Sequence, residues 1–238
     1  MKWTNVGKGA SALMIGGFLA LPMNLKAQEG ESSPFSVGGD LVSSYLWRGT
    51  KFGTGPAIQP YVELALGNLS IGGWASYAFT TNEGAEADLY ISYGTDIGLS
   101  VGFTDYYFPG EGSNYFDFES TDSTGAHAFE INLGYETGGL SIGANYFINQ
   151  AGVAGTAGGD MYFELGYSFD NFGLILGAGN GWHTAEADVD ESDFNICNIG
   201  ITTSKEIKIT EHFSLPVSGA LILNPDTEQF HVVVSVSF

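Results

Sequence analysis

Residues 230–238 read Phe-His-Val-Val-Val-Ser-Val-Ser-Phe. Side chains alternate along an extended chain. Phe230, Val232, Val234, Val236 and Phe238 therefore share one face, and His231, Val233, Ser235 and Ser237 the other. A period of two, rich in β-branched residues, is a strand signal. A last strand of this kind fits two architectures. In a barrel it pairs with the first strand, and everything between is a closed meander. In a soluble sandwich it is one more strand of an open sheet.

Working back from that stretch, segments of about ten residues repeat its form, separated by turn signals. They cover 36–48, 57–66, 69–80, 86–93, 97–108, 126–136, 140–149, 160–169, 172–182, 194–208 and 212–223, which with the last predicts twelve strands. Residues 97–108, for example, oppose Ile97, Leu99, Val101, Phe103 and Tyr107 to Ser100, Thr104 and Tyr106. Residues 36–48 put Val37, Leu41, Tyr45 and Trp47 on one face, with Asp40, Ser44 and Arg48 on the other. The stretch 194–208 is irregular: Cys197, Ile199 and Ile201 share a face that Phe194 and Ile196 do not. A bulge or a late start is expected there.

The connections decide the architecture. Gly67-Asn68, Gly94-Thr95-Asp96, Thr137-Gly138-Gly139, Asp170-Asn171 and Ile209-Thr210-Glu211 are short, and most carry the residues that tolerate positive φ in hairpins. Between them lie the longer 49–56, 81–85, 109–125, 150–159, 183–193 and 224–229. Alternation of short turns with long loops is the layout of a transmembrane antiparallel up-and-down β-barrel, short turns in the periplasm and long loops outside. A sandwich has no reason to alternate loop length in this way.

Composition agrees. Lys2 and Lys8 precede an apolar run from Ala10 to Leu21, Pro22 breaks it, and Ala27 offers a cleavage site, so residues 1–27 read as a signal peptide. That run is too short to span a bilayer as a helix. Residues 28–35 are then a short periplasmic N-terminus and 36–238 the barrel. Beyond residue 27, Arg48, Lys51, Lys205 and Lys208 stand against 27 acids, a net charge of −23. Such a chain does not bind nucleic acid, because nothing would neutralise phosphates. Disorder is disfavoured by 44% hydrophobic residues. The single cysteine, Cys197, makes no internal disulfide. A closed wall, with every backbone group paired, is another way to hold an exported chain together.

In a membrane barrel the apolar face looks at lipid and the polar face at water. Tyr45, Trp47, Tyr77, Phe79, Tyr93, Tyr135, Tyr146, Tyr167, Phe169 and Phe238 lie outward near strand ends, where aromatic girdles sit. The plain preference of aromatics for strands is the alternative. Trp74, Tyr90, Tyr106 and Tyr162 point inward by parity.

The ending of the chain on a terminal phenylalanine resembles the closing strand of bacterial outer-membrane barrels, and such a strand is the expected handle for the barrel-assembly machinery. The first half carries further strings: Ser44-Tyr45-Leu46-Trp47-Arg48-Gly49, Pro56-Ala57-Ile58-Gln59, Gly73-Trp74-Ala75-Ser76, Glu86-Ala87-Asp88-Leu89-Tyr90 and Asp105-Tyr106-Tyr107-Phe108-Pro109. Over roughly residues 36–136 these resemble a bacterial family named as porins by similarity and often called the TorF-type family. The loop 109–125 is longer and more acidic than that family suggests. The resemblance implies an outer-membrane channel and carries over no solute.

Arg48 is the most informative single residue. On the inward face at the outer end of the first strand, an unpaired buried cation would be costly, so acids should surround it. Glu63, Glu86, Asp88 and Glu130 are the candidates. They form either an electrostatic constriction or an ion-pair network that fills the lumen. Inward acids (Asp40, Glu63, Asp88, Glu130, Glu136, Glu164) outnumber Arg48, so a pore should prefer cations. The outer loops hold Asp117, Glu119 and Asp122, and Glu186, Asp188, Asp190, Glu191 and Asp193. They are solvated, or they bridge to lipopolysaccharide phosphates through divalent cations. The run from Asp188 lacks the glycine and distal glutamate of an EF-hand, and no Cys/His spacing suits a metal. His127, His183, His212 and His231 sit in no catalytic string.

The reading is a twelve-stranded barrel in the outer membrane, in contact with its lipid and lipopolysaccharide. It needs no cofactor and passes small hydrophilic, preferentially cationic solutes. A lumen-filled barrel acting through its acidic loops is the second reading, and a lipid-modifying barrel enzyme the third.

Overall fold

A computed structural model describes residues 33–80, 85–110, 113–120, 125–185, 193–211 and 213–238. The expected signal peptide, His212, Asp122 and the acids Glu186 to Glu191 lie outside the described residues.

Fourteen strands follow in chain order: β1 (Phe35–Val42), β2 (Tyr45–Trp47), β3 (Thr50–Phe52), β4 (Ala57–Leu66), β5 (Leu69–Ala78), β6 (Glu86–Gly94), β7 (Leu99–Tyr107), β8 (His127–Thr137), β9 (Leu140–Phe147), β10 (Met161–Ser168), β11 (Gly173–Gly179), β12 (Asn195–Lys208), β13 (Ser214–Asn224) and β14 (Gln229–Ser237). Twelve of them form a closed antiparallel barrel, each paired with its neighbour in sequence from β4 to β14. The ring closes through β1, which meets β4 from Phe35↔Leu64 to Val42↔Ala57 and β14 at Asp40↔Ser237, Leu41↔Val236 and Val42↔Ser235. Closure leaves no free edge in the wall. β2 and β3 pair only with each other.

Pleating sorts the side chains as the alternation requires. A band of aliphatics faces outward, including Ile91, Ile131, Leu133, Leu165, Leu176 and Leu221, each at least 40% exposed. Exposed aromatics rim it at both ends: Tyr77, Phe79, Tyr146, Phe163 and Phe230 on the long-loop side, Phe35, Tyr93, Phe169, Phe172 and Phe238 on the short-turn side. An aliphatic belt between two aromatic rings is what a lipid-facing wall needs. Leu133→Arg, near the middle of β8, is expected to destabilise the barrel by about 2–4 kcal/mol in phospholipid bilayers. Reversible denaturant titration checks it; a neutral result would mean that this face does not meet lipid.

Two expectations need correcting. The first strand does not run through residue 48. It ends at Val42, and residues 43–56 fold back into the lumen as the β2–β3 hairpin. Tyr45 and Trp47 are therefore not girdle residues: they are 8% and 3% exposed, inside the barrel. Cys197 does not share the outward face of Ile199 and Ile201 either. The β11–β12 register slips between Gly177↔Asn198 and Ala178↔Ile196, so Cys197 is the extra residue of a bulge. The bulge turns Cys197 and Asn198 both inward while Phe194, Ile196, Ile199 and Ile201 remain outside.

Candidate functional site

The site begins with the hairpin turn. Tyr45, Leu46 and Trp47 pair with Phe52, Lys51 and Thr50, leaving Arg48-Gly49 as a two-residue connection. Both have positive φ, 49° and 85°. This places the two central residues in the left-handed region, as in a type I′ hairpin. Glycine accepts that freely; arginine there costs on the order of 1–3 kcal/mol unless its surroundings hold it. A Cβ on Gly49 would lie 1.9 Å from the Cys197 carbonyl oxygen, so the turn touches the backbone of the β12 bulge. Asn224 Nδ2 donates to the Gly49 carbonyl at 3.2 Å, tying the turn to β13.

What holds Arg48 is Glu130 on β8. Nη1 donates to Oε1 at 2.6 Å and Nη2 to Oε2 at 2.9 Å, a two-pronged ion pair. Glu130 is 0% exposed. Its Oε2 also accepts from the Tyr106 hydroxyl at 2.9 Å and from Asn132 Nδ2. Thr104 donates to Asn132, and Asn132 to Asn145. The guanidinium lies 4.4 Å from the centre of the Trp47 ring and 4.8 Å from that of Tyr162. Tyr162 donates in turn to Glu164 at 2.6 Å and accepts from Asn198. A polar belt thus runs from β7 to β12 with Arg48 at its hub. Burial would lower the guanidinium's pKa, but the Glu130 carboxylate outweighs it and holds the value above the ordinary one. Tyr162 can lie flat against the wall because its neighbour is glycine: a Cβ on Gly177 would stand 2.1 Å from its hydroxyl.

Around this hub the lumen is filled by rings. Trp47 contacts Tyr106, Phe147, Trp182 and His183, with centroids 5.1–6.4 Å apart. Trp182 and His183 come from a short 3₁₀ turn, Gly181–His183, after β11. His183 is 1% exposed, and neither ring nitrogen has a hydrogen-bond partner among the described residues. Burial, with Arg48 nearby, pushes its pKa well below the ordinary value, so it is neutral. On the opposite side Leu46 packs against Ala220, Ile222 and Val233, an apolar patch on the inner wall. The hairpin is therefore wedged between both sides of the barrel.

Only Glu130 among the four expected acids is hydrogen-bonded to Arg48. The hairpin swings Arg48 across the lumen toward β8 instead of leaving it beside β4. Glu63 instead accepts from Tyr90 at 3.0 Å, and Asp40 from Ser237. Glu86 and Asp88 are buried on the inner face of β6. A cleft of about 80 Å³ lies between the hairpin and the β4–β6 wall, lined by Tyr45, Phe52, Phe108, Ser76 and Glu86 among others.

The loops carry less. Among the described residues no three His, Cys, Asp or Glu converge on one point. His127 faces outward on β8 but is 1% exposed, because the rings of Tyr115 and Phe118 pack over it. Its Nδ1 meets Asp105 at 2.8 Å and its Nε2 the Tyr115 carbonyl at 2.6 Å, which pins the loop to the wall. Sequence reasoning overlooked Leu46, Phe52, Phe147, Trp182 and His183. The signal was three consecutive large residues at 45–47, which a two-faced strand cannot bury together.

Residues 27–215 match the family model Gcw_chp, described as a bacterial protein of unknown function. No curated protein matches the chain. A solved structure, a KdgM porin, is similar at 10% identity and a TM-score of 0.46, covering 85% of this chain and 97% of that one.

Proposed function

The chain belongs to the Gcw_chp family of bacterial proteins, and we propose that it is a porin-like channel of the outer membrane that passes small hydrophilic cations. A lipid-facing wall closed on itself supports the membrane setting. The S-x-Y-x-W-R-G string and its resemblance to the TorF-type porins point the same way.

One observation carries the cation preference. The inner face presents Asp40, Glu63, Glu86, Asp88, Glu130 and Glu164, and the guanidinium of Arg48 is already paired with Glu130. The remaining carboxyls give the path a negative potential, which attracts cations and repels anions. The hairpin narrows the outer half to the cleft beside β4–β6, whereas Gly102, Gly134 and Gly143 put no side chain on the inner face of the periplasmic half. Small solutes therefore pass and larger ones do not.

In a planar bilayer under a KCl gradient the refolded protein is expected to give small discrete steps with a cation-selective reversal potential. Glu63→Gln and Asp88→Asn each move that potential toward zero. Anion selectivity, or variants indistinguishable from wild type, would refute the reading. The packed rings around Trp47 favour a second reading, a lumen-filled barrel that acts through its outer loops. An inserted, heat-modifiable barrel that never conducts would select it.

A further inference from the structure

The polar belt around Arg48 makes no use of Glu86 and Asp88. They stand two residues apart on the inner face of β6, each 4% exposed. Register places Glu86 beside Ser76 of β5, and Asp88 between Trp74 of β5 and Tyr106 of β7. The Tyr45 hydroxyl lies beside Glu86, and Glu86 beside Asp88, close enough to interact. Asp88 Oδ1 is buried and has no hydrogen-bond partner among the described residues. A buried acceptor without a donor is costly and marks a place where a donor belongs. Glu86 lines the cleft together with Ser76 and the rings of Tyr45, Phe52 and Phe108, and Asp88 stands two residues farther along the same inner face of β6.

The geometry points to a binding site here for a small primary ammonium ion, RNH₃⁺, with its nitrogen between Glu86 and Asp88 and its alkyl end against the three rings. This rests on the reading of the lumen as a cation path and names the solute class. An ammonium brings three N–H donors and one positive charge. Asp88 Oδ1, Glu86 and the Ser76 hydroxyl can accept them, and the charge offsets the two carboxyls. The aromatic faces favour an organic cation. Calcium would need six to eight oxygens, and here only two carboxyls converge. At about 30 Å³ per water in the liquid, a cleft of about 80 Å³ takes roughly three heavy atoms, so methyl- and ethylammonium fit whole and propylammonium and longer amines extend into the mouth.

The test is calorimetric titration of the refolded full chain in detergent micelles with n-propylammonium chloride, in a NaCl background. Saturable one-to-one binding is expected, weakened tenfold or more by Glu86→Gln and by Asp88→Asn in variants that keep the heat-modifiable band. The neutral isostere 1-propanol should bind at least tenfold more weakly and should not compete, a comparison that needs no variant. No saturable binding, equal binding of 1-propanol, or unchanged affinity in folded variants would overturn the proposal. The bilayer measurement separates its failure from that of the pore. Saturable amine binding in a silent barrel leaves the site without a channel, and cation-selective steps without amine binding leave the channel without this site.

Discussion

Glu130→Ala is expected to release the lumenal hairpin and to raise its cleavage by trypsin about 10²- to 10³-fold. Removing one partner of a buried ion pair costs about 3–5 kcal/mol, because the other charge stays behind unpaired. Here the survivor is the Arg48 guanidinium, held against Trp47 and Tyr162 with its side chain only 10% exposed. The same residue also sits at φ 49°, a strain of about 1–3 kcal/mol that the ion pair now offsets. The wall does not share this cost, since its ladder runs on without the hairpin. The hairpin should therefore open locally while the barrel stays folded. At about 1.4 kcal/mol per tenfold, 3–5 kcal/mol is a rise of 10² or more in the open population. Arg48 and Lys51 are the trypsin sites of the hairpin, so cleavage there counts open molecules. Glu130→Gln should be milder, because an amide oxygen still accepts from the guanidinium. A Glu130→Ala protein cut no faster than wild type would mean that the rings, not the ion pair, hold the hairpin.

The wall was legible in the sequence because its physics is local. Alternation along 97–108 or 230–238 is a property of neighbouring residues, and one face must meet lipid whichever strand lies alongside. Glycine and asparagine at 67–68 announce a hairpin without reference to the rest of the chain. The plug was illegible for the opposite reason. In Ser44-Tyr45-Leu46-Trp47 the alternation persists weakly, so residues 36–48 read as one strand. What ends β1 at Val42 is long-range: Leu46 packs against Ile222 and Val233, and Arg48 reaches Glu130, 82 positions away. Two local clues were available. A thirteen-residue strand exceeds the 9–11 residues needed to cross, and Arg48-Gly49 followed by Gly53 and Gly55 reads as turn chemistry. The bulge at Cys197 was visible as broken parity, since Phe194 and Ile196 fall out of step with Ile199 and Ile201. Which residue was the extra one could not be read without the partner strand. The pairing of Arg48 with Glu130 rather than Glu63 has the same origin, because a charge on a strand end and the same charge on a returned hairpin face different walls.

Replacing residues 44–54 by a short Gly-Ser link, in a Glu130→Gln background, should raise single-channel conductance by an order of magnitude or more. Twelve strands lie between the eight that side chains fill and the sixteen that leave an open channel. A barrel of this size therefore has space that something must occupy. That something is largely the hairpin: Tyr45, Leu46, Trp47 and Phe52 supply the rings and the aliphatic wedge that meet Tyr106, Phe147, Trp182 and Ile222. The excision also removes Arg48, and the glutamine spares Glu130 the cost of being a buried, unpaired carboxylate. Trp182 and His183 would lose the Trp47 ring they pack against, and nothing in their short 3₁₀ turn replaces it. The wall strands, whose ladder excludes β2 and β3, should fold as before and keep the heat-modifiable band. The acids Glu86 and Asp88 remain in place, so the wider pore should still prefer cations, though less steeply because the path is broader. Conductance unchanged in an inserted, folded variant would show that Trp182, Phe147 and Tyr106 close the lumen by themselves. The hairpin would then be a passenger on a plug built by the wall, and the strained Arg48 turn would need another explanation than closure.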